Sequence, residues 1–200
     1  MRILLIDNYD SFTYNVVHAL RQLGQRDVEV RRNTALNVHD LKSFGAVIAS
    51  PGPGLPADSG DLLPAVAACL RGGVPYLGIC LGHQALGEAV GAKLARLPTV
   101  RHGVQHRCTV SKADEIFGAL DVKPGDAFDV GRYHSWVVAE EDLPEQFVPL
   151  ARSEDGVVQL ARVADRCAYG LQFHPESIMT AGAGPKLLGQ FLHLAKRHHA

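Results

Sequence analysis

Cys80 stands between two glycines in the stretch Gly78-Ile79-Cys80-Leu81-Gly82-His83-Gln84. An apolar run, Val74 to Leu77, precedes it and a helix-like segment follows. A thiol at a strand-to-helix turn can serve as a nucleophile. The turn holds the central residue in a strained backbone conformation, and small neighbours let the chain bend that sharply. The sulfur then stands clear of the sheet. The positive end of the next helix favours the thiolate, the nucleophilic form. A lone free cysteine is more often a small buried apolar residue. The flanking glycines reverse that reading.

A thiol nucleophile needs an imidazole to take its proton and return it to the leaving group, and the imidazole needs a carboxylate to fix its tautomer. Phe173-His174-Pro175-Glu176-Ser177 supplies both, with Pro175 stiffening the link. Cys80, His174 and Glu176 therefore form a candidate triad, whose members meet in space and not along the chain. The competing reading makes His174 one ordinary surface histidine among 10. His83 lies on the helix side of the turn and reads as a packing or hydrogen-bonding residue.

The elements that must position these groups alternate along the first half. Strand-like runs are Arg2 to Asp7, Val28 to Arg31, Ala46 to Ser50 and Val74 to Ile79. Helix-like stretches lie between them, at Phe12 to Leu23, Asp61 to Arg71 and Gln84 to Val90. Asp10 or Ser11 can cap the first helix, and Gly24 can end it. This alternation predicts a parallel sheet covered on both faces. After Gly91 the runs Lys93 to Arg96, His106 to Val110, Val148 to Arg152, Val157 to Arg162 and Ala168 to Phe173 read as antiparallel strands. A last helix is expected from about Lys186 to Arg197. One domain is expected, with no repeat.

Ligands of such sheets bind at the carboxyl ends of the strands. Ser50, Cys80 and His174 each follow a predicted strand, which places them in one cleft. After Ser50 comes Pro51-Gly52-Pro53-Gly54, a rigid loop whose backbone N–H groups can approach a ligand closely. An N–H at or near Gly52, paired with that of Leu81, would make an oxyanion hole. A phosphate loop would need a following Gly-Lys-Ser/Thr, which is missing; a plain turn is the remaining alternative.

The composition limits the rest. Two hundred residues, 46% hydrophobic and with a net charge of -1, can bury a core and carry no nucleic-acid footprint. Arg31-Arg32 and Lys196 to His199 read as solvated surface. No run suits a bilayer, and the chain opens on a strand instead of a signal peptide. Cys69, Cys80, Cys108 and Cys167 lack paired or metal-type spacing, so reduced thiols in a cytoplasmic protein and no metal site are expected.

The motifs "SPGPG" at Ser50 to Gly54, "GICLGHQ" around Cys80 and "FHPES" around His174 resemble the class I (triad-type) glutamine amidotransferases over nearly the whole chain. "IDNYDSFTYN", Ile6 to Asn15, and "RYHSW", Arg132 to Trp136, look like the glutaminase subunits of anthranilate synthase and aminodeoxychorismate synthase. "RHG", Arg101 to Gly103, resembles their "MHGK". Val104 stands where Lys is frequent, Trp136 where Leu is usual, and Leu97 to Ala113 matches loosely.

The resemblance implies an α/β fold: a flavodoxin-like open mixed sheet, its parallel core covered by helices on both faces, with added antiparallel strands. It implies hydrolysis of L-glutamine through a thioester on Cys80. Glutamine and its oxyanion would be held by Gly52, Pro53, Gly54, Leu81, Gln84, Ser135 and Trp136. It implies a large chorismate-binding synthase subunit as partner, contacted through "DNYDSFTYN" and the "RHG" region. It implies no cofactor in this chain, with Mg²⁺ only in that partner, and neither nucleic acid nor membrane. Within this resemblance the tryptophan pathway is preferred to the folate pathway. Rival classes are a Cys-His peptidase or γ-glutamyl hydrolase, and a non-catalytic flavodoxin-like module; the second has no need of all three triad residues.

Overall fold

The structure, a computed structural model, describes residues 1–198, without the side chains of residues 99–102. Arg101 and His102, part of the expected partner surface, and His199 therefore lie outside the described side chains. Five parallel strands form one side of a nine-stranded sheet: β1 (Ile3–Asp7), β2 (Val28–Arg32), β3 (Ala46–Ala49), β4 (Tyr76–Ile79) and, late in the chain, β9 (Ala168–Leu171). Their order is β2-β1-β3-β4-β9. β5 (Leu94–Val110), β6 (Ala127–Val138), β7 (Phe147–Ser153) and β8 (Val158–Val163) continue it antiparallel as β8-β7-β5-β6.

The inner parallel strands β1, β3 and β4 are buried along nearly their whole length because both their faces are covered, whereas the edge strand β2 alternates valine with charged residues. Ile3 and Leu5 of β1 point to one face and join Val16, Val17 and Leu20 of α1 (Thr13–Gln22) and Leu187, Leu188 and Phe191 of α4 (Gly184–His198). Leu4 and Ile6 point to the other. They join Leu62, Ala65, Val66 and Cys69 of α2 (Leu62–Gly72) and Leu81, Ala85 and Leu86 of α3 (Leu81–Ala89).

Five expectations change. The last strand pairs parallel with β4 and antiparallel with β8, so it joins the two halves and is not simply one of the antiparallel set. The runs at Lys93 and His106 are parts of one long strand, β5, with register shifts against β6. β6 itself was not expected. α3 begins at Leu81, directly after Cys80, and not at Gln84. Finally, neither Asp10 nor Ser11 caps α1: Phe12 holds that position without a side-chain cap, while Asp10 Oδ1 accepts from the Phe12 N–H at 2.7 Å. Gly24, with φ of +79°, ends α1 as expected.

Candidate active site

Cys80 joins β4 to α3 with φ of +52° and ψ of -98°. A non-glycine residue held there is strained by about 1–3 kcal/mol and needs firm support from its surroundings. Its N–H donates to the Leu171 carbonyl at 2.7 Å, and its carbonyl accepts from the Gln84 N–H at 3.0 Å. The two glycines make the bend sterically feasible. A Cβ on Gly78 would lie 2.2 Å from the Gly82 carbonyl oxygen, and one on Gly82 would lie 2.8 Å from both Cβ and O of Ala49.

β9 on the neighbouring position delivers the imidazole. His174 and Glu176 are both buried, and His174 Nδ1 meets Glu176 Oε1 at 2.7 Å. Nδ1 therefore carries the proton and Nε2 is left for the thiol. Nε2 makes no hydrogen bond of proper geometry, yet the Cys80 sulfur is close enough to act on the ring. Burial alone would lower the His174 pKa. Cys80 and Glu176 outweigh it and raise it to about 10. The ring is thereby poised to hold its proton at neutral pH. Rings of Tyr133 and Phe12 pack edge-on against it, with centroids at 4.9 and 5.6 Å. The His174 N–H donates to the Gly131 carbonyl of β6 at 3.2 Å.

A cavity of about 210 Å³ opens beside the thiol, lined by Gly52, Pro53, Gly54, Cys80, Gln84, Tyr133, His134, Ser135 and Trp136. That is smaller than the roughly 300–1,000 Å³ of drug-sized ligand sites and suits a single amino acid better than a peptide. Gly52 packs so closely that a Cβ there would lie 2.6 Å from both Leu81 Cδ2 and Asn8 Cβ. The glycine loop thus packs directly on the Leu81 side chain, next to the nucleophile. Asn8 holds the loop by donating Nδ2 to the Ser50 carbonyl at 2.8 Å and accepting Asn33 Nδ2 at 3.1 Å.

Of the sequence-predicted site residues, Gly52, Pro53, Gly54, Cys80, Gln84, Ser135 and Trp136 line the cavity; Leu81 follows Cys80 in the chain, and His174, paired with Glu176, packs on the lining residue Tyr133. Part of the "DNYDSFTYN" segment serves the site itself, since Asn8 braces the glycine loop and Phe12 packs on His174. Tyr9 and Tyr14 of the same segment stay exposed. His83 is fully buried against the Phe147 ring and the Gly170 backbone, and burial lowers its pKa to about 4, so it packs as a neutral ring.

Sequence reasoning missed Gln172, Tyr133 and His134 as site residues. Gln172 donates Nε2 to Cys80 Sγ at 3.6 Å and accepts Gln84 Nε2 at 3.3 Å. Its one signal was its place between a strand and "FHPES". The other three cysteines are free, and burial raises the pKa of each, to about 12 at Cys69 and about 11 at Cys167. They stay thiols at neutral pH. Among the described residues no helix is long and apolar enough to cross a membrane.

A cysteine elbow at the carboxyl edge of a parallel sheet, with a carboxylate-held imidazole beside it, defines a site able to transfer an acyl group through a thioester. A family model described as glutamine amidotransferase class-I matches residues 4–194. Anthranilate synthase component 2 of Azospirillum brasilense is 39% identical over 201 residues, covering 98% of this chain and 97% of that protein. Aminodeoxychorismate synthase component 2 of Escherichia coli (strain K12) is 40% identical over 193 residues, covering 96% and 99%. The solved structure of a glutamine amidotransferase from Thermotoga maritima superposes with a TM-score of 0.75 at 16% identity, covering 98% and 97%, a likeness of fold. The chain belongs to the class I glutamine amidotransferases.

Proposed function

We propose that this chain hydrolyses L-glutamine at Cys80, His174 and Glu176 and delivers the ammonia to a large, chorismate-using synthase subunit. The arrangement that carries the reading is the strained Cys80 facing an amino-acid-sized cavity beside the His174–Glu176 pair. Cys80 Sγ attacks the side-chain amide carbon. The N–H groups at Gly52 and Leu81 hold the oxyanion. His174 gives a proton from Nε2 to the leaving nitrogen, and ammonia departs from a γ-glutamyl thioester. His174 then takes a proton from water, whose oxygen attacks the thioester, and glutamate leaves with the thiol restored.

Gln84 and the backbone of Ser135 and Trp136 bind the α-amino and α-carboxylate groups of glutamine. The chain itself needs no cofactor; Mg²⁺ belongs to the synthase subunit. Ammonia free in water becomes ammonium, which is no nucleophile, so a partner with a protected passage fits this chemistry. The cellular setting consistent with these substrates is the cytoplasm, and we take the 200 residues as one domain. The relatives name two synthases at nearly equal identity, anthranilate and aminodeoxychorismate synthase. We favour the first.

The test combines the purified chain, glutamine, chorismate and Mg²⁺ with each large subunit in turn, with Cys80→Ser as control. Glutamine-dependent anthranilate supports the preferred reading. Aminodeoxychorismate alone moves the chain to the second synthase. Unchanged glutamine turnover in Cys80→Ser refutes the assignment of the nucleophile.

A further inference from the structure

We infer that Arg132 and Asp155 are positioning residues for the amide-substrate pocket, acting through His134 and the Trp136 carbonyl. The inference rests on the proposed glutaminase reading. Arg132 is the largest fully buried side chain and lies on β6 two residues before His134. Its Nη1 donates to both carboxylate oxygens of Asp155 at 2.9 Å. It also lies 3.3 Å from Ser153 Oγ and 3.2 Å from His106 Nδ1. Asp155 sits in the turn between β7 and β8, with 27% of its side chain exposed, and accepts the Ser153 hydroxyl at 2.6 Å.

A guanidinium has donors only and does not deprotonate in proteins. Arg132 Nε points at His134 Nε2 from 3.2 Å. That nitrogen must therefore accept, and the His134 proton is confined to Nδ1. Nδ1 lies 3.1 Å from the Trp136 carbonyl oxygen, so its N–H donates there. Gln84 Nε2 donates to the same oxygen at 2.8 Å. Two donors, one from α3 and one from β6, thus fix the peptide plane at the wall that Ser135 and Trp136 give to the cavity. The network continues through Gln84 and Gln172 to Cys80 Sγ.

Burying a guanidinium costs several kcal/mol unless its partners are well placed. An apolar residue would fill this volume more cheaply. What the charge adds is a single tautomer at His134 and a single orientation of the pocket wall. Losing it weakens substrate and transition state alike, which raises KM and leaves kcat.

Two readouts test this, both on the full chain in complex with its synthase partner. In glutaminase kinetics, Asp155→Asn and Arg132→Lys should each raise KM for glutamine about tenfold, the scale of one charged hydrogen bond. Their kcat and the rate of Cys80 alkylation by iodoacetamide should stay near wild type, and Asp155→Glu should restore most of KM. Arg152→Ala, which breaks the neighbouring exposed pair with Glu140, should leave KM unchanged. Long-range ¹⁵N–¹H NMR should place the wild-type His134 proton on Nδ1, and Arg132→Lys should mix the tautomers. An unchanged KM in folded Asp155→Asn and Arg132→Lys overturns the inference, as does a wild-type His134 proton on Nε2. A wild-type chain that hydrolyses no glutamine refutes the proposed function instead, and the NMR arm still decides the network.

Discussion

Replacing Gly78 by alanine adds one methyl group at the tightest point of the elbow. That carbon would lie 2.2 Å from the carbonyl oxygen and 2.3 Å from the carbonyl carbon of Gly82. Carbon atoms pack at about 3.5–4.0 Å, so β4 and the first turn of α3 must part by at least ~1 Å. Both sides are backbone, and no rotamer can relieve the clash. Cys80 lies between them, two residues from each. Overpacking of this kind costs roughly 1–3 kcal/mol. For a chain of this length that lowers Tm by about 2–4 °C per kcal/mol. The displacement also moves the sulfur against the imidazole, and a shift of ~1 Å costs about 10² in rate. The comparison is Gly189→Ala on α4, where the nearest atom to the new carbon is Leu23 Cδ2 at 3.6 Å. There the same methyl should stabilise by about 0.5–1 kcal/mol through lost backbone freedom in the unfolded chain. Thermal melting and glutaminase kcat/KM of both variants decide the matter. If Gly78→Ala melts and turns over like wild type, the elbow does not depend on the contact described.

Glu176→Gln keeps the shape of the buried pair but lets an amide N–H face His174 Nδ1; kcat should fall by about 10²–10⁴ while glutamine KM changes little. Burial lowers the pKa of His83 to about 4, and burial with the Arg132 charge lowers that of His134 to about 3. Both rings stay neutral in the folded chain, whereas unfolded histidine binds a proton near pH 6.5. The unfolded state then binds more protons, so stability should fall as pH drops from about 6.5 towards 4, by about 1.4 kcal/mol per unit for each ring. Denaturant titrations at stepped pH measure the slope, and His83→Gln should remove about half of it. His174 acts at the other end: its raised pKa contributes stability that is full below pH 6.5 and lost as pH rises through about 10. Phe191→Ala on α4 should cost about 3–5 kcal/mol by opening a cavity against the sheet, read as a lower denaturation midpoint with kcat retained in the folded fraction.

The elbow and the "FHPES" motif were legible because their constraints are local. Gly78 is required by its contact with Gly82 four positions on, and Glu176 reaches His174 from two positions away; only the contact of Gly82 with Ala49 is distant in the chain. The parallel half was legible for a similar reason, since strands covered on both faces read as short apolar runs. β6 was not. Its sequence, AFDVGRYHSWVV, carries a fully buried Arg132 and a buried His134. Charged and polar residues in a strand read as solvent-facing, and the partner of Arg132, Asp155, is supplied by a turn more than twenty residues later. The stretch between the runs at Lys93 and His106 did not read as a strand, yet β5 continues through it with its register shifted against β6. Gln172 was hidden likewise, because its partners Cys80 and Gln84 come from the other end of the crossover.

The placement of the groups separates what is rigid in this site from what is adjustable. Cys80 leaves β4 and His174 follows β9, and these two strands pair directly in the middle of the sheet. The Cys80 N–H is itself bonded to β9 at Leu171, so nucleophile and base share one backbone frame. Both faces of that frame are packed, and moving one triad member against another means deforming the core. The pocket walls are different. One is the Pro51–Gly54 loop, held by Asn8; the other is the far end of the β5–β6 ribbon, held by Arg132, His134 and Gln84. Each wall is fixed by a few side-chain hydrogen bonds instead of by a packed core. A partner bound to this chain would therefore have its leverage on these walls, through how well glutamine is held, and little on the chemistry between Cys80 and His174.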